Sequence, residues 1–380
     1  VELRVDNGLS LRRHATLGSA KPSTQRFAIG ELEFRGEARE IRLAEAGATQ
    51  VGVFRHMELI ITPAVRAATA HRARWSLFNV TIGALWAASA LYPLSAAADP
   101  CTRQGVELQV LGSGGPELED KRASSSYVVW QDGRARILVD SGGGSALRFG
   151  QSGAHVTQLD ALLFSHLHID HSADFAALIK SSYFEERNRK LPVYGPTGNA
   201  EFPSTTQFVA ALFDPNRGVY RYLGEFLQGK DGGYVLQAHD VALGEHEVRT
   251  LFRAEGATAA AARVVHGGVP ALGWRVSLGG KTIVFSGDGN GDNGNLELLA
   301  KKADLFVAHN AIPEGETGSA RQLHMPPSVI ARIAQDAGVG QVVLSHRMLR
   351  TIGRESETRA VIARVYSGRV TFADDLDCFR

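Results

Sequence analysis

Ser165-His166-Leu167-His168-Ile169-Asp170-His171 packs three imidazoles and one carboxylate into a few residues, directly behind the apolar run Ala161-Leu162-Leu163-Phe164. Imidazole and carboxylate are the ligands divalent zinc takes when no thiolate is offered. A short apolar run that ends in such a cluster reads as a buried strand delivering its C-terminal end to a site. Alternation along the extended chain lets His166 and His168 point one way, and the turn that follows lets Asp170 and His171 face a second position. The plainer alternative, a solvated polar loop, leaves the later histidines and aspartates without a role.

Other stretches accompany this one along the chain: Leu111-Gly112-Ser113-Gly114-Gly115, Ile137-Leu138-Val139-Asp140-Ser141-Gly142, Val265-His266-Gly267 with Ala271-Leu272-Gly273-Trp274-Arg275, Phe285-Ser286-Gly287-Asp288 and Leu344-Ser345-His346. With the H-x-H-x-D-H pattern they resemble, in order, the motifs of the metallo-β-lactamase superfamily, and of its ribonuclease Z-like branch in particular. The resemblance covers roughly residues 105–375. It implies an α/β fold, a four-layer αβ/βα sandwich with metals held at one edge between the sheets. It also implies a ligand set. His166, His168 and His266 would hold one zinc, Asp170, His171 and His346 a second, and Asp288 would bridge them. Zinc, two per chain, is the expected cofactor, and iron or manganese also suit a His/Asp site.

Two such metals share a water and lower its pKa toward neutrality, so no serine or cysteine nucleophile is needed. Asp140 reads as a hydrogen-bonding partner that orients a ligand, or as a turn-capping aspartate. Asp170, His309 and His324 are the candidate catalytic side chains. His309 follows the apolar run Leu305-Phe306-Val307-Ala308, and His324 precedes Met325-Pro326-Pro327. Either could protonate a leaving group, hold an anionic oxygen, or simply pack. Ribonuclease Z relatives carry a His-Glu pair in this region, and here Asn310 stands in place of the glutamate. Arg347 is an anion clamp or a surface arginine. Tyr183 and Phe184 wall an aryl pocket or belong to ordinary core.

The substrate expected from these residues is a small anionic ester, an aryl sulfate or a phosphodiester. Gly112-Ser113-Gly114-Gly115-Pro116-Glu117, Tyr194-Gly195-Pro196-Thr197-Gly198-Asn199 and Pro203-Ser204-Thr205 look similar to arylsulfatases of the metallo-β-lactamase fold. Nucleic acid is not expected as a partner. The net charge is +1, the basic residues are scattered, and only a hairpin's length of chain separates His266 from Asp288. A zinc β-lactamase and a non-catalytic zinc-binding module are the competing readings. The first is disfavoured by the residues around His266, the second by a complete ligand set.

Arg72 and Arg74 precede an apolar stretch from Leu77 to Leu94 that ends in Ser95-Ala96-Ala97-Ala98-Asp99. That order describes a secretory signal peptide over 57–98, with a membrane anchor as the alternative. The hydrolase domain then spans 99–380, periplasmic or secreted, with no stable membrane anchor after cleavage. Residues 1–56 read as an over-called gene start or a disordered extension ahead of Met57. The two cysteines, Cys101 and Cys378, sit at opposite ends of the mature domain and read as a disulfide or as two free thiols. Oligomeric state is left open.

From residue 99 onward, short apolar runs predict strands at 106–111, 127–130, 137–139, 161–164, 191–194, 283–285, 305–307 and 342–344. Helices are predicted at 173–188, 205–213, 296–302, 327–337 and 357–366.

Overall fold

The structure, a computed structural model, describes residues 101–229 and 234–380 with their side chains, and the backbone of short strands within residues 2–61. The chain divides into two units, Val1–Leu91 and Tyr92–Arg380. In the first unit, Glu2–Val5 pairs with Leu9–Arg12, Leu43–Glu45 with Ala48–Gln50, and Leu32–Ala38 with both Gln25–Ile29 and Phe54–Ile61. The expected extension at 1–56 and signal peptide at 57–98 otherwise lie outside the described residues. Among the described residues no helix is long and apolar enough to cross a membrane.

The second unit is built on two seven-stranded sheets. The first sheet contains β1 (Val106–Gly112), β2 (Ser126–Gln131), β3 (Arg134–Val139), β4 (Ala161–Leu163), β5 (Leu191–Pro196) and β6 (Leu236–Val241). The second contains β7 (Arg249–Ala254), β8 (Ala257–His266), β9 (Val269–Leu278), β10 (Lys281–Phe285), β11 (Leu305–His309), β12 (Gln341–Ser345) and β13 (Arg369–Phe372). β14 (Cys378–Phe379) returns to the first sheet and pairs with β1. Spatial order is β6-β5-β4-β3-β2-β1-β14 in one sheet and β7 through β13 in sequence in the other. The hairpins are closed by residue pairs that accept positive φ, as at Asp132-Gly133 (φ 48 and 78) and Gly279-Gly280 (φ 54 and 80).

Alternation assigns the side chains to layers. Tyr127, Val129, Ile137, Val139, Ala161 and Leu163 from one sheet meet Ala259, Ala261, Trp274, Phe285 and Val307 from the other in a core between the sheets. The opposite faces carry their own cores. Val128, Trp130 and Leu162 pack under α3 (Phe175–Ser182) and α4 (Thr205–Phe213), with Phe175, Val209 and Phe213. Val284, Phe306 and Leu344 pack under α8 (Pro327–Ala337) with Ile330 and Ile333. Helix, sheet, sheet, helix is the expected four-layer sandwich.

The strand expectations omit β6 to β9, β13 and β14. β8 reads ATAAAARVVH, and alanine is a helix former in isolation. Tertiary context overrides that propensity: Ala257, Ala259 and Ala261 face the other sheet, where small side chains leave room for Trp274. The helix expected over 173–188 ends at Ser182. Beyond it the chain turns so that the Arg187 guanidinium donates to the carbonyls of Val156, Thr157 and Leu159. The expectations for 205–213 and 327–337 coincide with α4 and α8. α4 begins with a capping box, Ser204 and Gln207, and α8 has Pro at its start and Gly338 at φ 64 past its end.

Cys101 and Cys378 form a disulfide, with Cα atoms 5.3 Å apart and 277 residues of separation. It ties the start of the domain to β14. On the chain-entropy model so long a loop stabilises by about 5–6 kcal/mol, less any strain.

Candidate metal centre

The first sheet delivers its ligands from one local unit. β3 and β4 run parallel and end side by side. At the end of β3, Asp140 takes φ 58, a conformation unusual for a non-glycine residue. Its carboxylate accepts from the Ser165 amide and hydroxyl, both at 2.7 Å, and from His171 Nδ1 at 2.9 Å. Of the two readings of Asp140, the structure selects the orienting one. Asp170 and His171 sit in a single helical turn, α2 (Ile169–Ser172), anchored by the Ser141 amide on the His171 carbonyl. Gly142 permits this approach, since a Cβ there would lie 2.1 Å from the Asp170 carbonyl oxygen.

The second sheet delivers its ligands singly. β9 is antiparallel to both β8 and β10, and β10, β11 and β12 are parallel. The C-terminal ends of β8, β10, β11 and β12 therefore lie at one edge. There stand His266, Asp288, His309 and His346, each on or just past a different strand. His346 has φ 50, and Gly115 packs against it so closely that a Cβ would lie 2.9 Å from His346 Cε1.

These residues converge on Asp288. Its Oδ2 lies 3.3 Å from His346 Nε2, 3.7 Å from both His171 Nε2 and His266 Nε2, and 4.0 Å from His166 Nε2. Asp170 Oδ2 lies 3.2 Å from His346 Nε2 and 3.6 Å from His171 Nε2. The His166, His168 and His266 donor atoms cluster together, as do those of His171, Asp288, His309 and His346, and those of His266, Asp288 and His324. All seven ligands expected from sequence are thus assembled at one place.

The donor atoms suit cations. His171 Nδ1 is committed to Asp140, and His266 Nδ1 to the Leu323 carbonyl at 2.9 Å, so the inward Nε2 of the neutral His266 ring is free of a proton. His166 Nε2 and His171 Nε2 are buried with no hydrogen-bond partner. His266 Nε2 and His168 Nδ1 face each other at 3.3 Å. Burial, and secondarily neighbouring histidines, hold His166 well below the usual imidazole range, and burial also lowers His168 and His266. Burial pushes His171 and His346 down as well, but the carboxylates beside them win: His171 stands well above its usual value and His346 at about 9. A pocket that draws protons onto two imidazoles and leaves other lone pairs turned inward is one that divalent cations fit.

The two further histidines separate in role. His309 is buried and both its ring nitrogens are engaged, Nδ1 with Asp288 Oδ1 at 2.6 Å and Nε2 with the Tyr127 hydroxyl at 3.1 Å. It has no nitrogen left for a leaving group. His324, at the end of α7 (Gly318–Leu323), places its ring 5.4 Å from that of His266 and 5.7 Å from that of His346. Its Nδ1 is buried, without a hydrogen bond, 3.8 Å from Asp288 Oδ2. Burial takes its pKa down to about 3, so it is neutral near pH 7. Asn310 is buried next to His309 and donates to the Ile312 carbonyl.

Two other expectations are corrected. Arg347 is buried, bound to Glu355 and Asp374 and stacked on Phe372, so it is structural and offers no anion clamp. Tyr183 and Phe184 are solvent-exposed at 54% and 78% and lie against Lys180, so they are not ordinary core. Sequence reasoning missed Ser165 and Tyr127. Ser165 lies inside the quoted motif and is recognisable as its first hydrogen-bonding residue, whereas Tyr127 carries no local signal.

A fold of this kind with this centre defines a metallo-hydrolase class, and the comparisons with known proteins agree. The β-lactamase superfamily domain family matches residues 135–347. The ribonuclease Z of Mycolicibacterium paratuberculosis (strain ATCC BAA-968 / K-10) is 31% identical over 291 residues, covering 71% of this chain and 96% of that protein. Among solved structures, the metallo-β-lactamase fold protein YhfI from Bacillus subtilis superposes with TM-score 0.55 at 22% identity, over 72% of this chain and 98% of that one. The short form of human tRNase Z gives TM-score 0.53 at 20% identity, over 72% of this chain and 98% of that one. The chain belongs to the metallo-β-lactamase superfamily, in its ribonuclease Z-like branch.

That membership overturns the expectation that nucleic acid is excluded as a partner. Relatives matching along nearly their whole length are named ribonuclease Z. The exclusion leaned on net charge, a sum over the whole chain that does not set the local field at a site. It leaned also on the short chain between His266 and Asp288, which the structure shows as β9 and β10. That observation concerns one loop and not the reacting centre.

Proposed function

We propose that this chain hydrolyses phosphodiester bonds with a pair of divalent metals, zinc first among them. The observation that carries the proposal is the convergence of two ligand clusters on Asp288 Oδ2, with buried imidazole nitrogens left unpartnered around it. The phosphodiester class is supported by the names of the relatives, and RNA lies within it. His166, His168 and His266 would hold one cation, His171, His346 and Asp170 the other, with Asp288 between. Bound there, such cations supply Lewis acidity and an acidified water.

The protein's own groups do the rest. Asp140 and Ser165 hold His171 in one tautomer and orientation. Asp170 stays ionised: burial raises its pKa, but His171 and His346 outweigh that and take it well below the usual carboxylate range. It therefore acts by orienting, as an acceptor. His324 is the one ring of the centre that makes no hydrogen bond among the described residues and, being neutral near pH 7, it is placed to donate an N–H hydrogen bond to a departing or anionic oxygen. Export of the mature domain belongs to the same proposal and is supported by the Cys101–Cys378 disulfide. N-terminal sequencing of fractionated cells checks it, and a mature chain that retained Gly30 would refute it.

Activity is tested on a panel, each member with and without chelator: bis(p-nitrophenyl) phosphate, a single-stranded RNA, an aryl sulfate and a chromogenic cephalosporin. Phosphodiester cleavage that is fastest and lost on chelation is the expected result. Faster turnover of the sulfate would assign an arylsulfatase, and of the cephalosporin a β-lactamase.

A further inference from the structure

Asp288 faces two ways. Its Oδ2 meets the imidazoles of both ligand clusters, and its Oδ1 lies 2.6 Å from His309 Nδ1. A carboxylate oxygen only accepts, so Nδ1 carries the proton of that contact. The opposite nitrogen, Nε2, lies 3.1 Å from Tyr127 Oη, which itself donates to Ser345 Oγ at 2.9 Å. His309 and Ser345 are register partners on β11 and β12, whereas Tyr127 comes from β2 in the other sheet. The hydroxyl thus reaches across an otherwise apolar core, where its own ring packs 5.4 Å from Phe285 and is fully buried. A hydroxyl buried there costs stability unless it is bonded, and both its partners lie at the root of the centre.

We propose that Tyr127 is a positioning residue of the metal centre. Its hydroxyl bridges His309 Nε2 and Ser345 Oγ, which fixes the plane of the His309 ring with Nδ1 on Asp288 Oδ1 and leaves Oδ2 as the face presented to the cations. Without the hydroxyl, Nε2 is a buried nitrogen with no partner. The ring then loses the contact that fixes its plane and is free to turn. Turning takes Nδ1 off Asp288 Oδ1 and releases the carboxylate from its orientation. Substitutions behind a metal ligand weaken metal binding by about 10–100-fold, and the same is expected here.

The inference rests on the clusters being a metal centre, and the experiment separates the two. Zn²⁺ affinity of the full chain is measured by competition with a chromogenic chelator, and the absorption bands of the Co²⁺-loaded form are recorded. The proteins are wild type, Tyr127→Phe, His309→Ala, the double variant and Asp288→Ala. Tyr127→Phe keeps the ring in the core. It should weaken binding about 10-fold or more and shift the Co²⁺ bands. At saturating metal it should lower kcat with little change in KM. The double variant should bind no worse than His309→Ala alone, because the hydroxyl acts through that ring. Tyr127→Phe with wild-type affinity and an unchanged spectrum, while Asp288→Ala loses metal, would overturn the role of Tyr127 and leave the centre standing. Independent, multiplying losses would overturn the route through His309. A wild-type chain that bound no metal would overturn the centre itself and this role with it.

Discussion

The two sheets contribute to the same centre in different ways. The first supplies His166, His168, Asp170 and His171 from one strand end and one helical turn, braced by Asp140 from the neighbouring strand. The second supplies His266, Asp288 and His346 from three strands, with no two of these residues close in sequence. The first group is a local structure, present wherever β3 and β4 pair. The second exists only when β8 to β12 are in register. A slip of one residue in any of those strands would turn its ligand to the other face. Local ligands are robust and legible, whereas distributed ones are rigid because the whole sheet holds them.

The most severe way to break the contrast is Asp288→Ala, which removes the carboxylate common to both groups. Turnover should fall by about 10³-fold or more, with loss of at least one metal per chain by elemental analysis. Full activity in that variant would mean that the two groups work independently. Gly142→Ala strikes only the local group, because its Cβ would collide with the Asp170 carbonyl. We expect about 1–3 kcal/mol of destabilisation by thermal unfolding and a weakened site at Asp170 and His171. Retention of both metals with normal affinity would show that α2 can shift without cost.

His324→Ala sharpens the division of labour further, since His324 belongs to neither group. Its effect should depend on the leaving group, about 10²-fold for a poor one such as a ribose hydroxyl and much less for nitrophenolate. Equal losses across leaving groups would remove it as the group that stabilises the departing oxygen.

A smaller effect needs no variant. In the metal-free chain His171 and His346 carry protons near pH 7, His346 with a pKa of about 9. Metal uptake must displace them, so binding should release about two protons, read from calorimetry in buffers of different ionisation enthalpy. Both shifts are upward. Their contribution to the stability of the metal-free chain is therefore full below the unfolded imidazole pKa and lost as pH rises through about 9. Affinity for metal should rise over the same interval. The smallest effect on chemistry should come from Cys101→Ser. It lies outside both groups and should cost about 2–5 kcal/mol of stability with kcat unchanged.

Residues close in sequence could be read as a site without coordinates. The run from Ser165 to His171, its preceding strand and the superfamily pattern along the chain were enough for the sandwich and for the seven residues that the fold brings together. α4 and α8 were equally legible, because a capping box and a proline–glycine frame are local signals. What tertiary structure alone decided depends on atoms brought together from different sheets. Alanine-rich β8 is a strand because it pairs with β9, where Ala261 stands beside Trp274 in the core between the sheets, which no window of its own sequence reveals. Arg347 is consumed by Glu355 and Asp374, and Tyr183 and Phe184 turn outward onto Lys180. His309 and His324 look alike in sequence, each a lone histidine beside apolar residues. Only the fold fills both nitrogens of the first and leaves the second bare beside Asp288. A side chain's chemistry at a site is set by which of its atoms remain unpaired, and that pairing is a property of the assembled sheets.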